Sequence, residues 1–128
     1  MDIDRLTPRQ KKIMIDTYEA KLLTESDCFG VLSLVKGERK DGFIVDVRDA
    51  KSFGEGHIPG AVNIPYEEIE KKFRAIPKDK TVILYCWGAD STLSTKAAHK
   101  LCQLDIYCKV LRSGWTEWVA AKRPVQRT

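Results

Sequence analysis

Cys86 closes the apolar run Thr81-Val-Ile-Leu-Tyr-Cys86 and opens a short polar stretch, Trp87-Gly88-Ala89-Asp90-Ser91-Thr92. A helical pattern follows. This order delivers a thiol from a strand into a tight loop that feeds a helix N-terminus. Backbone N–H groups of such a loop can converge on one point, and the positive end of the helix adds to the field there. That field favours the thiolate, the nucleophilic form of cysteine. The plainer alternative is a buried cysteine at the end of a core strand, since free cysteine is among the most buried residue types. The strand–loop–helix placement lifts Cys86 above that alternative.

The other chemistry-bearing residues are sparse. Cys28, Cys102 and Cys108 form no C-x-x-C pair with one another or with Cys86. His57 and His99 are too few and too scattered for a zinc-site pattern. In a reducing compartment the cysteines are free thiols. Cys102 and Cys108 are close enough in sequence for a redox pair. The preferred expectation packs Cys102 on a helix face and puts Cys108 in or beside the next strand.

Composition sets the frame. A chain of 128 residues suits one domain, and 43% hydrophobic with 31% charged residues is ordinary for a soluble globular fold. No stretch approaches the roughly 20 apolar residues that span a bilayer. Met1-Asp2-Ile3-Asp4-Arg5 carries neither a signal-peptide core nor an acid-poor transit peptide. The expected location is the cytoplasm, with no membrane partner. The net charge of +4 is mild, and no basic run interleaves with aromatics, so no nucleic-acid partner is expected.

The elements that must hold Cys86 can be read along the chain. Residues 9–23 predict a helix with Ile15, Tyr18 and Leu22 on one face. Thr24 and Asp27 have capping-box-like spacing and predict a second helix start, followed by the stripe Cys28, Val31, Leu32, Val35. Residues 43–47 predict a buried strand. Residues 48–60 carry loop chemistry with one helical turn near Ala50 to Phe53. A short strand at 61–64 and apolar residues at helical spacing, Tyr66, Ile69, Phe73 and Ile76, come next. After the strand at 81–86, the face Leu93, Ala97, Ala98, Leu101, Cys102, Leu104 predicts a helix over 93–104. A strand at 107–111 and a short helix marked by Trp115, Trp118 and Val119 close the chain before Pro124. Alternating strands and helices predict an α/β fold, a parallel β-sheet flanked by helices on both faces. Ligands bind beyond the carboxyl ends of such strands, and Cys86 lies at one.

Three segments carry a resemblance. The first is Val45-Asp46-Val47-Arg48-Asp49, then Phe53, then Gly56-His57-Ile58-Pro59-Gly60-Ala61-Val62-Asn63-Ile64-Pro65. The second is Leu84-Tyr85-Cys86 with its loop. The third is Ser113-Gly114-Trp115 with Trp118 and Pro124. In this order and spacing they resemble the rhodanese family of sulfurtransferases. The match covers residues 43–125, about two-thirds of the chain. It implies one rhodanese-like domain over 1–128, with 1–25 as an N-terminal helical extension. It also implies that Cys86 takes a sulfane sulfur from a donor, becomes a persulfide, and passes the sulfur to a nucleophilic acceptor such as a thiol or a protein. Polysulfide, persulfide and thiosulfate are the candidate donors. The loop, Trp87 to Thr92, would hold the persulfide anion by backbone N–H groups, and the resemblance implies that no metal or organic cofactor is needed. Asp46 and Arg48 match the family's D-x-R signature and are expected to brace the neighbouring loops. His57, inside the Gly56–Pro65 signature, is expected to stabilise a turn.

The loop departs from the family's common C-x-x-G-x-R form. It has no Lys or Arg before Lys96, it contains Asp90, and its glycine stands at position 88. It resembles bacterial single-domain members with a C-W-G-P-type loop, with Ala89 in place of the proline. Thiosulfate is a dianion. One unit charge at a few ångströms is worth about 4 kcal/mol at an effective dielectric near 20, less in an open site. Weak thiosulfate turnover is therefore expected. Trp87 either walls the mouth for a bulkier donor or packs on the fold. Among Ser91, Thr92 and Ser94, one is expected to cap the following helix, and each could also hydrogen-bond substrate. Two other functions compete. A binding or regulatory module would keep the fold with little catalysis, and the altered loop charge favours it. Phosphatase or arsenate-reductase chemistry needs positive charge around a transferring oxyanion, which this loop lacks.

Overall fold

Five parallel strands form one sheet in the order β1-β5-β4-β2-β3. They are β1 (Glu25–Ser26), β2 (Gly42–Asp46), β3 (Val62–Asn63), β4 (Thr81–Tyr85) and β5 (Cys108–Leu111). The computed structural model describes residues 5–128. The polar start Met1–Asp4, read above as no targeting segment, lies outside the described residues.

The central strands are largely apolar because both faces are covered. Side chains alternate along each strand, so each divides its residues between two cores. Val82, Leu84 and Cys86 face one core with Val45 and Val47, where α4 (Ile69–Lys72) adds Ile69 and α5 (Leu93–Gln103) adds Ala97 and Leu101. Ile83, Tyr85 and Ile44 face the other, against Val31 of α2 (Cys28–Val35) and Trp118 of α6 (Gly114–Ala120). This period of two puts the Cys86 side chain on the α5 side of the sheet. The strands at 43–47, 81–86 and 107–111 and the helical turn near 50–53, now α3 (Ala50–Glu55), lie where the pattern predicts them to within two residues or so. Among the described residues, no helix is long and apolar enough to cross a membrane.

Two local expectations need correction. Thr24 and Asp27 do not form a capping box: Asp27 is itself the N-cap of α2, accepting from the Gly30 N–H at 2.8 Å. The Thr24 hydroxyl instead donates to the Ala20 carbonyl at 2.7 Å and belongs to the preceding helix. A capping box does occur at Thr7 and Gln10, where Pro8 opens α1 (Pro8–Thr24). The second correction concerns α5. Its buried stripe is Ser94, Ala97 and Leu101, while Cys102 and Leu104 are exposed. Cys102 lies about 100° round the helix from Leu101, and Leu104 is already past the helix end. Cys108 is buried in β5, as its pattern predicts; burial, with a smaller contribution from Cys102, pushes its thiol up to about 11.

The stripe Ile15, Tyr18, Leu22 is exposed, and α1 has no buried residue. Its C-terminal end is tied to the sheet by the Tyr107 hydroxyl, which donates to the Leu23 carbonyl at 2.7 Å. Arg112 also reaches Glu25 at 3.3 Å.

Candidate functional site

The alternation in β4 carries Cys86 to the first turn of α5. Its Sγ lies 3.2 Å from Ser94 Oγ and 3.4 Å from Ser91 Oγ. Ser94 is buried, so its hydroxyl has been placed beside the sulfur rather than left in solvent. The capping expectation changes accordingly. Thr92 is the N-cap of α5 and its side chain makes no cap bond. Ser91 accepts from the Leu93 N–H at a long 3.4 Å, so helix capping is at most a minor part of what these hydroxyls do. A protonated thiol donates to them; a thiolate accepts from both.

The loop is held from the opposite side by α6. The Trp115 N–H donates to the Cys86 carbonyl at 2.9 Å and the Thr116 N–H to the Trp87 carbonyl at 2.8 Å. These are first-turn donors that lack partners within a helix, and the loop carbonyls satisfy them. Ser113 accordingly makes no side-chain cap bond. Inside the loop the Ser91 N–H turns to the Gly88 carbonyl at 3.0 Å. That donor is therefore spent within the loop and does not contribute to the N–H cradle expected around the sulfur.

Asp46 and Arg48 form a buried pair behind the loop. Arg48 Nη2 meets Asp46 Oδ2 at 2.7 Å and Nε meets both carboxylate oxygens at 3.1 Å. Arg48 Nη2 also donates to the Gly56 carbonyl at 2.6 Å, tying β2 to the signature turn. The guanidinium lies 4.7 Å from the ring centroids of both Trp87 and Trp115. Trp87 packs on the fold through Arg48, and 44% of the residue remains exposed. Trp115 supplies the second ring against that guanidinium. Next to Arg48, the Tyr85 hydroxyl accepts from the Ile58 N–H at 3.0 Å. Burial, reinforced by the Asp46 charge, raises its pKa far above that of free tyrosine.

His57 belongs to the fold. Its ring stacks on Phe53 with centroids 3.7 Å apart, its Nδ1 lies 2.8 Å from the Phe53 carbonyl, and its backbone pairs with Gln126.

A cleft of about 380 Å³ opens beside the loop, lined by Trp87, Asp90 and Ser91 from the loop and Ser113, Thr116 and Glu117 from α6 and its approach. Gly88 and Ala89 complete the loop side. Cys86 itself is only 2% exposed, and Ser91 both touches its sulfur and lines the cleft. Glu117 was not picked out from the sequence. Its only signal was position: it lies three residues past Gly114 in the helix that meets the loop.

Residues 31–121 match the family described as the Rhodanese-like domain. An HTH-type transcriptional regulator of Mycobacterium tuberculosis is 34% identical over 82 residues, 64% of this chain but 36% of the regulator. The chain therefore spans little more than a third of that relative's length. A thiosulfate sulfurtransferase of Shewanella oneidensis, GlpE, is 34% identical over 84 residues, 63% of this chain and 79% of the relative. The crystal structure of the BH2092 protein from Bacillus halodurans superimposes with a TM-score of 0.85 at 34% identity, covering 92% of this chain and 87% of that one.

Proposed function

This chain belongs to the rhodanese-like domain family, and we propose from that premise that it is a sulfurtransferase with Cys86 as its nucleophile. The observation that carries the reading is the sulfur at the end of β4, set against the N-terminus of α5 with two serine hydroxyls within 3.4 Å. The Cys86 thiolate attacks the outer sulfur of a donor R–S–SH. The donor's S–S bond breaks, R–S⁻ leaves, and Cys86 becomes a persulfide. An acceptor thiolate then attacks the outer sulfur of that persulfide and regenerates the Cys86 thiolate. Sulfur moves at constant oxidation level, so no external oxidant enters.

Ser94 and Ser91 donate to the sulfur anion in this scheme, and the positive end of α5 adds to the field. Hydrogen bonds to charged groups are worth about 1.5–3 kcal/mol. Ser94→Ala is therefore expected to slow persulfide formation about 10- to 100-fold, with little change in unfolding midpoint. A stopped-flow measurement with polysulfide checks this, and an unchanged rate would remove Ser94 from the scheme. Asp46 and Arg48 act as positioning residues, bracing Trp87 and the Gly56 turn rather than meeting substrate. The domain is read as one unit over 1–128, with 1–25 as its extension and the cytoplasm as its location.

The donor is read as a persulfide or polysulfide rather than thiosulfate. Among the described residues lining the cleft there is no Lys or Arg, and Arg48 is already committed to Asp46. Asp90→Arg is expected to lower the KM for thiosulfate in steady-state assays. A KM that stays the same or rises would contradict the charge argument. The same lack of cations disfavours phosphoryl transfer.

A second reading, a binding or regulatory module, is favoured by the burial of Cys86 and by the regulator among the relatives. Release of thiocyanate from sulfur-loaded protein by cyanide separates the two. The sulfurtransferase reading expects about one equivalent from wild type and none from Cys86→Ser; the module reading expects none from either.

A further inference from the structure

We propose that the cleft between the Cys86 loop and α6 selects sulfur donors or acceptors that carry a positive charge, the aminothiol class and its persulfides. This rests on Cys86 being the nucleophile of the proposed function.

The cleft is a pocket of about 380 Å³, large enough for a small thiol and its chain of a few atoms. Its charged lining groups are Asp90 and Glu117, and it has no cation among the described residues. The described ion pairs involve neither carboxylate. The two acids come from separate elements, the loop and α6, and converge on the same space. Trp87 adds a half-exposed ring, an electron-rich surface that attracts ammonium groups. The remaining lining is neutral: Ser91, Ser113 and Thr116 are hydroxyl residues. Ser91 joins the cleft to the nucleophile, since its hydroxyl is 3.4 Å from the sulfur. A ligand whose sulfur passes Ser91 to reach Cys86 keeps its other end in the cleft. A carboxylate or sulfonate there meets two negative charges; an ammonium meets two counter-charges and the ring. A cleft lined by one sign of charge concentrates ligands of the opposite sign and speeds their capture.

The experiment uses thiol–disulfide exchange at Cys86, which needs no sulfur transfer. Cys86 thiolate attacks R–S–S–R, giving Cys86–S–S–R and R–S⁻. Three probes are compared: cystamine (cationic), bis(2-hydroxyethyl) disulfide (neutral) and dithiodiglycolate (anionic). The rate of modification at Cys86 is read by peptide mass mapping, which separates it from exposed Cys102. The readout is the cationic-to-anionic rate ratio in wild type divided by the same ratio in Asp90→Asn/Glu117→Gln. Both substitutions are at exposed positions, and the comparison cancels the intrinsic reactivity of each probe. The ratio is expected to fall about tenfold in the double variant, the low end of what charge-lined clefts achieve. It is also expected to shrink toward one as salt rises. An equal ratio in both proteins, or no reaction of Cys86 with any probe while Cys102 reacts, would overturn the proposal. Failure of the function itself shows separately: Cys86 then exchanges with charge selectivity but yields no thiocyanate after sulfur loading.

Discussion

Arg48→Leu destabilises the protein by about 3–5 kcal/mol, the cost of removing one partner from a buried ion pair. Asp46 and Arg48 are 0% and 1% exposed, so neither charge can recover water when its partner goes. The variant strips the forked guanidinium contact from the Asp46 carboxylate and leaves the Gly56 carbonyl without its donor. It also empties the space between the Trp87 and Trp115 rings. Arg48→Lys does not rescue it, because an ammonium cannot make the forked contact and stack between two rings at once. Urea denaturation of wild type, Arg48→Leu, Asp46→Leu and Asp46→Leu/Arg48→Leu measures the effect. The double variant should lose less than the sum of the two single changes, since no charge is left alone. A loss under about 1 kcal/mol for Arg48→Leu would mean that the pair contributes no more than an exposed ion pair.

Gly114→Ala is the second large effect, and it acts at the site. Gly114 has φ of +63°, which costs an L-residue about 1–2 kcal/mol. An added Cβ would also lie 2.8 Å from the Gly88 nitrogen and the Trp87 carbonyl carbon, and 2.9 Å from the Cys86 oxygen. All three are backbone atoms and cannot rotate away. Either α6 retreats or the loop shifts, and the bonds from Trp115 and Thr116 to the loop carbonyls stretch. The expected result is a loss of at least ~2 kcal/mol in stability and of ten- to a hundredfold in persulfide formation, about what a misplacement near 1 Å costs. Gly37→Ala is the control. Gly37 has φ of +77° but nothing within 4 Å of the added carbon, so it should lose about 1–2 kcal/mol and keep its activity. Equal effects at both glycines would show that backbone strain alone matters.

The strands and the loop around Cys86 were legible because period-two burial and turn residues are local signals. Val82, Leu84 and Cys86 alternate with Ile83 and Tyr85, so the side of the sheet that receives the sulfur follows from the strand alone. The role of Ser94 was not legible. A serine two residues into a helix looks like a cap, and only the packing of α5 on β4 turns it toward Cys86. The contact of Trp115 with Arg48 and the place of Glu117 beside the loop were not legible for the same reason: they meet the site across long sequence gaps, and nothing local marks such a contact. Asp46 and Arg48 stood out because they are two residues apart at a strand end, but the two tryptophans that meet the guanidinium come from elsewhere in the chain. The helix α1 was legible from its apolar spacing, but such spacing specifies a face without specifying what covers it.

Intact-protein mass spectrometry tests the central claim most directly. Wild type and Cys86→Ser are treated with polysulfide and with thiosulfate, and any gain is located by peptide mapping. A one-sulfur gain on Cys86, reversed by reduction, absent from the variant and stronger with polysulfide, is the predicted result. No gain at Cys86 from either donor, in folded protein with the thiol reduced, would contradict it.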